Sequence, residues 1–160
     1  ISQKVDSISA LNKDFLNIDS NLPINFQEIQ EVITDPQIKF NQVVANSSMT
    51  NAAKICLSNF MNSILVWETN DYSEIHQSIV VFEESVMLNT AFNIDDRRII
   101  LTTSSIARYS LYYSKERKDK DWETSVGNRV GAVIGAVTNS GTAVKKSIVT
   151  GLLIQNGHTD

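Results

Sequence analysis

Gly127, Gly131 and Gly135 recur at a spacing of four in the segment Val126-Gly127-Asn128-Arg129-Val130-Gly131-Ala132-Val133-Ile134-Gly135-Ala136-Val137, and they make up half of the chain's six glycines. Each glycine in a helix interior costs about 1 kcal/mol against alanine. At roughly 100° per residue, the three positions drift only slowly around a helix. They form a smooth lane bordered by Val130, Ile134 and Val137. Small residues at this spacing let two helix backbones approach closely. The pattern points to a tight helix crossing with Gly127, Gly131 and Gly135 as its packing surface. It does not match a phosphate-binding loop, because no Gly-Lys-Ser/Thr follows and no strand precedes it.

The rest of the chain is short of helix breakers. Glycine is missing before position 127, and the only prolines are Pro23 and Pro36. Apolar residues recur at helical spacing. Val5, Ile8, Leu11, Phe15 and Leu16 predict a helix within 1–19. Asn25 followed by Glu28 reads as a capping box ahead of Phe26, Ile29, Val32 and Ile33. Asp35-Pro36 suits the start of another helix, with aspartate as cap and proline in the first turn. Phe40, Val43, Val44, Ala53, Cys56, Leu57, Phe60, Met61, Ile64 and Leu65 then run on, interrupted at Asn46-Ser47-Ser48. One kinked helix over 36–69 and two helices with Thr50 as a fresh cap both fit.

Asp71 with Glu74 reads as a second capping box, opening a helix to about Thr90 with Ile75, Ile79, Phe82 and Val86 inside. Asp95 and Asp96 place negative charge at the start of a helix over 95–119, and Lys115, Arg117, Lys118 and Lys120 place positive charge at its end. After Trp122 and the glycine segment, Asn139-Ser140-Gly141 signals a stop. A last helix over 142–154 would bury Ala143, Val144, Ile148, Gly151 and Leu152, leave Lys145 and Lys146 outside, and pass into a frayed tail over 155–160. The expected fold is a single all-α domain over 1–160. It is an irregular bundle of five to seven helices with a C-terminal glycine-rich helical hairpin. The helices near 50–66, 72–90 and 95–119 would form its core.

Composition and motifs argue against most chemistry. A net charge of -4 does not suit a nucleic-acid surface. The run Lys115-Glu116-Arg117-Lys118-Asp119-Lys120-Asp121 mixes both signs and reads as a solvated helix end. Cys56 is the only cysteine, so neither an intrachain disulfide nor a cysteine-built zinc site can form. His76 has no partner at His-x-x-x-His or Glu-x-x-His spacing, and His158 lies in the tail. Glu28 with Glu31 and Glu83 with Glu84 read as solvated carboxylates rather than a catalytic pair. No serine stands in Gly-x-Ser-x-Gly. The reading is a non-enzyme with no cofactor, no metal and no nucleic-acid partner.

Two segments bear on partners. Tyr109, Tyr112 and Tyr113 fall at spacing three and four on one helical face. They read as half-buried packing with hydroxyls at the rim, and a partner-binding patch with Arg108, a combination enriched in hot spots, is the alternative. Val130 to Val144 carries no charge, but at about 15 residues, broken by Asn-Ser-Gly, it is short of the roughly 20 needed to span a bilayer. A membrane-active, toxin- or bacteriocin-like use of a hairpin over 126–154 is the alternative function.

The stretch Asp95 to Gly135 resembles exported, lipoprotein-type helical proteins of Bacteroidetes. These carry an Ile-Ala-Arg-Tyr-Ser-like helix ending in tyrosines, a tryptophan linker and a glycine-rich, bacteriocin-like C-terminal segment. The resemblance rests on Ile106-Ala107-Arg108-Tyr109-Ser110, Trp122 and the glycine strip. It implies an exported bacterial helical protein of the cell envelope or extracellular space. A chain opening on Ile1 rather than methionine suits removal of a leader. The present glycine segment is shorter than the family pattern and carries Lys145 and Lys146. The expected role is a non-enzymatic exported helical protein acting through contacts with an unidentified protein partner.

Overall fold

The computed structural model describes residues 25–67, 70–112 and 126–156. They form an all-α bundle of seven helices: α1 (Phe26–Thr34), α2 (Pro36–Asn46), α3 (Asn51–Trp67), α4 (Tyr72–Leu88), α5 (Ile94–Tyr112), α6 (Val126–Thr138) and α7 (Ser140–Asn156). The expected helix within 1–19, the basic cluster at 115–120, Tyr113, Trp122 and the tail beyond 156 lie outside the described residues.

Local chemistry sets most boundaries. The Asn25 carboxamide accepts from the Glu28 amide and caps α1. The capping box stays half-made, because the Glu28 carboxylate turns instead to Lys146 Nζ at 2.5 Å. Asp35 caps α2 by accepting from the Ile38 amide at 2.9 Å, with Pro36 in the first turn. The break at 47–50 is real, and 36–67 holds two helices. Thr50 starts the second, its hydroxyl accepting from the Ala53 amide. Asp71 makes no side-chain cap, so the second expected capping box does not form.

The start of α5 is tied more firmly. Asn93 Oδ1 accepts from the Asp96 amide and Asp96 Oδ2 accepts from the Asn93 amide, a reciprocal box. Asp96 is fully buried rather than a surface dipole charge. It also accepts from the Thr50 amide at 3.0 Å and the Thr50 hydroxyl at 2.8 Å. One carboxylate therefore serves the first turns of both α3 and α5.

The centre of the bundle is α6, not α3 to α5 as the apolar stripes suggested. Every residue from Asn128 to Ala136 is buried. α6 packs against α7, α5, α2 and α1. A helix surrounded on all sides needs apolar or small residues all round, and the Val130–Ala136 stretch supplies them. The turn between α6 and α7 is Asn139 alone, because its side chain caps α7 through the Thr142 amide at 2.8 Å. Ser140 and Gly141, expected in the turn, belong to the first turn of α7. Lys145 and Lys146 are not outside either: Lys145 is buried, and Lys146 is largely covered in its pair with Glu28.

Candidate functional site: an open apolar groove between α3 and α4

Helix α3 has two apolar faces. Ala53, Leu57, Phe60, Met61 and Ile64 point into the core. Ile55 and Val66 point away from it and are 63% and 71% exposed. Helix α4 repeats the arrangement: Ile75, Ile79 and Val86 are buried, whereas Val81 is 54% exposed. An arc this wide exceeds one stripe facing one core.

The two helices do not close on each other. Each leans on α5, and their backbones hardly meet. The cause is a wedge of rings. Phe60 and Phe82 stack between them, with centroids 4.3 Å apart and planes 14° from parallel, and Trp67 meets Phe60 edge-on at 6.3 Å. Phe92 closes the other end. Above this floor runs a groove walled by Ile55, Cys56 and Asn59 on α3 and by Ser78, Val81 and Ser85 on α4. It continues past Trp67 towards Ser73, Glu74 and Gln77.

Besides Glu74, the polar side chains in the groove are serine hydroxyls and the amides of Asn59, Gln77 and Asn89. Ser63, Ser78 and Ser85 each turn their hydroxyl onto a carbonyl of their own helix, those of Asn59, Glu74 and Phe82 respectively. Cys56 is half-buried in the wall, and burial pushes its thiol pKa up. Deep pockets with convergent polar groups serve small ligands; this surface instead presents ring edges, methyls and methylenes along two helices.

The sequence-expected positions lie elsewhere. In the α6–α7 pair, a Cβ at Gly131 would fall 2.8 Å from Thr150 Oγ1 and 2.9 Å from the Lys146 carbonyl oxygen. A Cβ at Gly135 would collide with the Ala143 backbone and the Thr142 carbonyl. The packing around Gly127 lies outside the described residues. Gly151 faces the Asn128 carboxamide, which bonds the buried Ser147 hydroxyl.

Among the described residues of the tyrosine cluster, Tyr109 and Tyr112 do not share one open face. Tyr112 packs edge-on to Tyr72 at 5.3 Å, and Arg108 pairs with Glu83 at 3.5 Å, so both belong to the α4–α5 seam. Tyr109 is 44% exposed. Of the carboxylates, Glu31 pairs with Lys39, Glu28 with Lys146 and Glu83 with Arg108, while Glu84 is exposed. Among the described residues, no group of three or more histidines, cysteines, aspartates and glutamates is placed to hold a metal ion. No described helix is long and apolar enough to cross a membrane.

Sequence reasoning passed over the groove because it followed the innermost stripe of each helix. The signal was present in Ile55-Cys56-Leu57, Ile64-Leu65-Val66 and Ile79-Val80-Val81-Phe82, where consecutive apolar residues must cover more than one face.

Fold and groove together define an all-α helical bundle with an apolar cleft between two splayed antiparallel helices. No protein-family model, curated protein or solved structure matches this chain.

Proposed function

We propose that this protein is a non-enzymatic, exported helical protein that acts by docking another protein in the α3–α4 groove. The observation that carries this reading is the exposure of Ile55 and Val81 along one continuous cleft with an aromatic floor. Contiguous exposed apolar surface on a protein is a marker of an interaction site. A cleft between two helices is also a common receptor for a third helix, read through anchors at i, i+3, i+4 and i+7. The Bacteroidetes resemblance supports the exported setting.

Membrane action through 126–154 draws less support. The apolar side chains of α6, including Val130, Val133 and Ile134, are buried against the bundle. Presenting them to lipid would require the core to open.

Site-specific photocrosslinking in the producing cell tests the docking reading. A photoreactive residue at Ile55 or Val81 is expected to trap a discrete protein adduct. The same residue at exposed Gln27 on α1 or Gln42 on α2 is expected to give background. Equal yields at all four positions would overturn the groove as the working surface.

A further inference from the structure

We propose that the occupant of the α3–α4 groove is a basic amphipathic helix from another protein. The inference rests on the docking reading above and adds the chemistry of the partner. The groove sets the shape of its occupant: at 1.5 Å per residue, the 17-residue helices α3 and α4 run about 25 Å. That length matches a partner helix of four to five turns lying between them, its apolar stripe on Phe60 and Phe82.

The rim sets the charge. Helix α4 contains Glu74, Glu83 and Glu84 and neither lysine nor arginine. Glu83 turns inward to Ser104 and Arg108. Glu74 lines the groove, and Glu84 stands on the same helix one turn beyond Val81, outside the lining; both are exposed and make no ion pair among the described residues. Asp71, at the start of α4, is exposed and caps nothing with its side chain. Among the described residues, two cations at the far end of the groove are already engaged: Lys54 donates to the Ala45 carbonyl and Arg97 to the Asn89 carbonyl. Glu74 thus places an acidic group in the groove towards Trp67, and no lysine or arginine is among the described residues that line it.

A second copy of this chain is disfavoured, because it would bring the same carboxylates against each other. Lysines or arginines flanking the apolar stripe of a partner helix would meet Glu74 and Glu84. Such rim charges act mainly on association rate and partner choice, and salt weakens them.

Cys56 offers a direct readout, since it is the only thiol and lies in the wall. Its alkylation by N-ethylmaleimide is followed by mass at mildly alkaline pH, because burial holds the thiol protonated at lower pH. The probes are two 18-residue helical peptides sharing a leucine stripe at i, i+3, i+4 and i+7. One carries lysine at its outer positions and the other glutamate. The lysine peptide is expected to slow alkylation at a concentration at least tenfold lower than the glutamate peptide, with the gap closing in high salt. Glu74→Lys with Glu84→Lys is expected to reverse that order; both are exposed, so melting should not change.

Equal protection by the two peptides, or an order unchanged in the double variant, would overturn the basic-partner inference and leave the groove reading standing. No protection by either peptide would overturn both. Cys56 already shielded in the free protein would also overturn the inference. Shielding that grows with protein concentration would assign the groove to a second copy. Shielding that is relieved by Ile8→Glu would assign it to residues 1–24 of the same chain.

Discussion

Gly135 carries a clear contest between two effects. Alanine there would gain about 1 kcal/mol of helix propensity. Its Cβ, however, would overlap the backbone of Ala143 and the Thr142 carbonyl, which cannot rotate away as a side chain could. Overpacking of this kind costs roughly 1–3 kcal/mol, occasionally more, and the direct clash with backbone places Gly135 at the upper end. Gly135→Ala is expected to lower the melting temperature by about 4–10 °C, using roughly 2–4 °C per kcal/mol at this size. Gly131→Leu should cost at least as much, since Thr150 and the Lys146 carbonyl stand within 3 Å of even the first carbon. Gly151→Ala is the contrasting case. Its nearest neighbour is the Asn128 side-chain amide at 3.1 Å, which can shift by a few tenths of an ångström. Melting should then move by no more than a degree or two. Thermal melts of the three variants by circular dichroism check the ranking, and equal melting of Gly135→Ala and wild type would remove the close-crossing account.

Between elements, the strongest tie is Asp96. It joins the first turns of α3 and α5 through Thr50 and Asn93, across 46 residues of sequence in the case of Thr50. An N-cap is worth about 0.5–2 kcal/mol, and buried hydrogen bonds to a charged group about 1.5–3 kcal/mol. Asp96→Ala is expected to destabilise by about 2–4 kcal/mol in denaturant unfolding. Because Thr50 and Asp96 act as one unit, Thr50→Ala combined with Asp96→Ala should cost clearly less than the two single losses added together. An additive result would separate the two caps.

The sequence shows part of this level and hides the rest. Asn25, Asp35-Pro36 and Thr50 mark starts that the structure shares, because caps are local. Asp71-Glu74 has the same local signature and makes no side-chain cap. Asp96 looks like an ordinary first-turn acid, since only tertiary contact brings Thr50 to it. The basic residues of α7 mislead in the same way. Lys145 and Lys146 read as a solvated face, yet α1 and the rest of the bundle cover them. The spacing singles out Gly131 and Gly135, where a Cβ would meet the neighbouring helix, but nothing local says that their helix is surrounded. The groove walls were visible as apolar residues without being recognisable as open, because openness depends on where Phe60 and Phe82 hold two helices apart.

Across the whole molecule, burial is uneven. α6 is enclosed from Asn128 to Ala136, whereas α3 rests mainly on α5 and presents Ile55, Leu65 and Val66 to solvent. Local opening follows contact density and burial. Native-state hydrogen exchange should find the slowest amides between Val130 and Ala136. Amides near the C-terminal half of α3 should exchange through a separate, lower-energy opening. A basic helical peptide in the groove should slow that opening and leave α6 unchanged. Uniform exchange across α3 and α6 would show that the bundle opens only as one unit.

The position of α6 in chain order has a consequence in time. Five of the described helices precede their hub, so during synthesis α1 to α5 emerge before the surface they enclose exists. Domains commonly begin to fold as they are made, and α3, α4 and α5 can meet early through Phe60, Phe82 and Asp96, but the faces of α1, α2 and α5 turned to α6 stay uncovered until the glycine helix arrives. The bundle cannot close before α6 has emerged. An arrest placed before residue 126 should therefore leave a protease-sensitive nascent chain, and one placed well beyond 156 a resistant one.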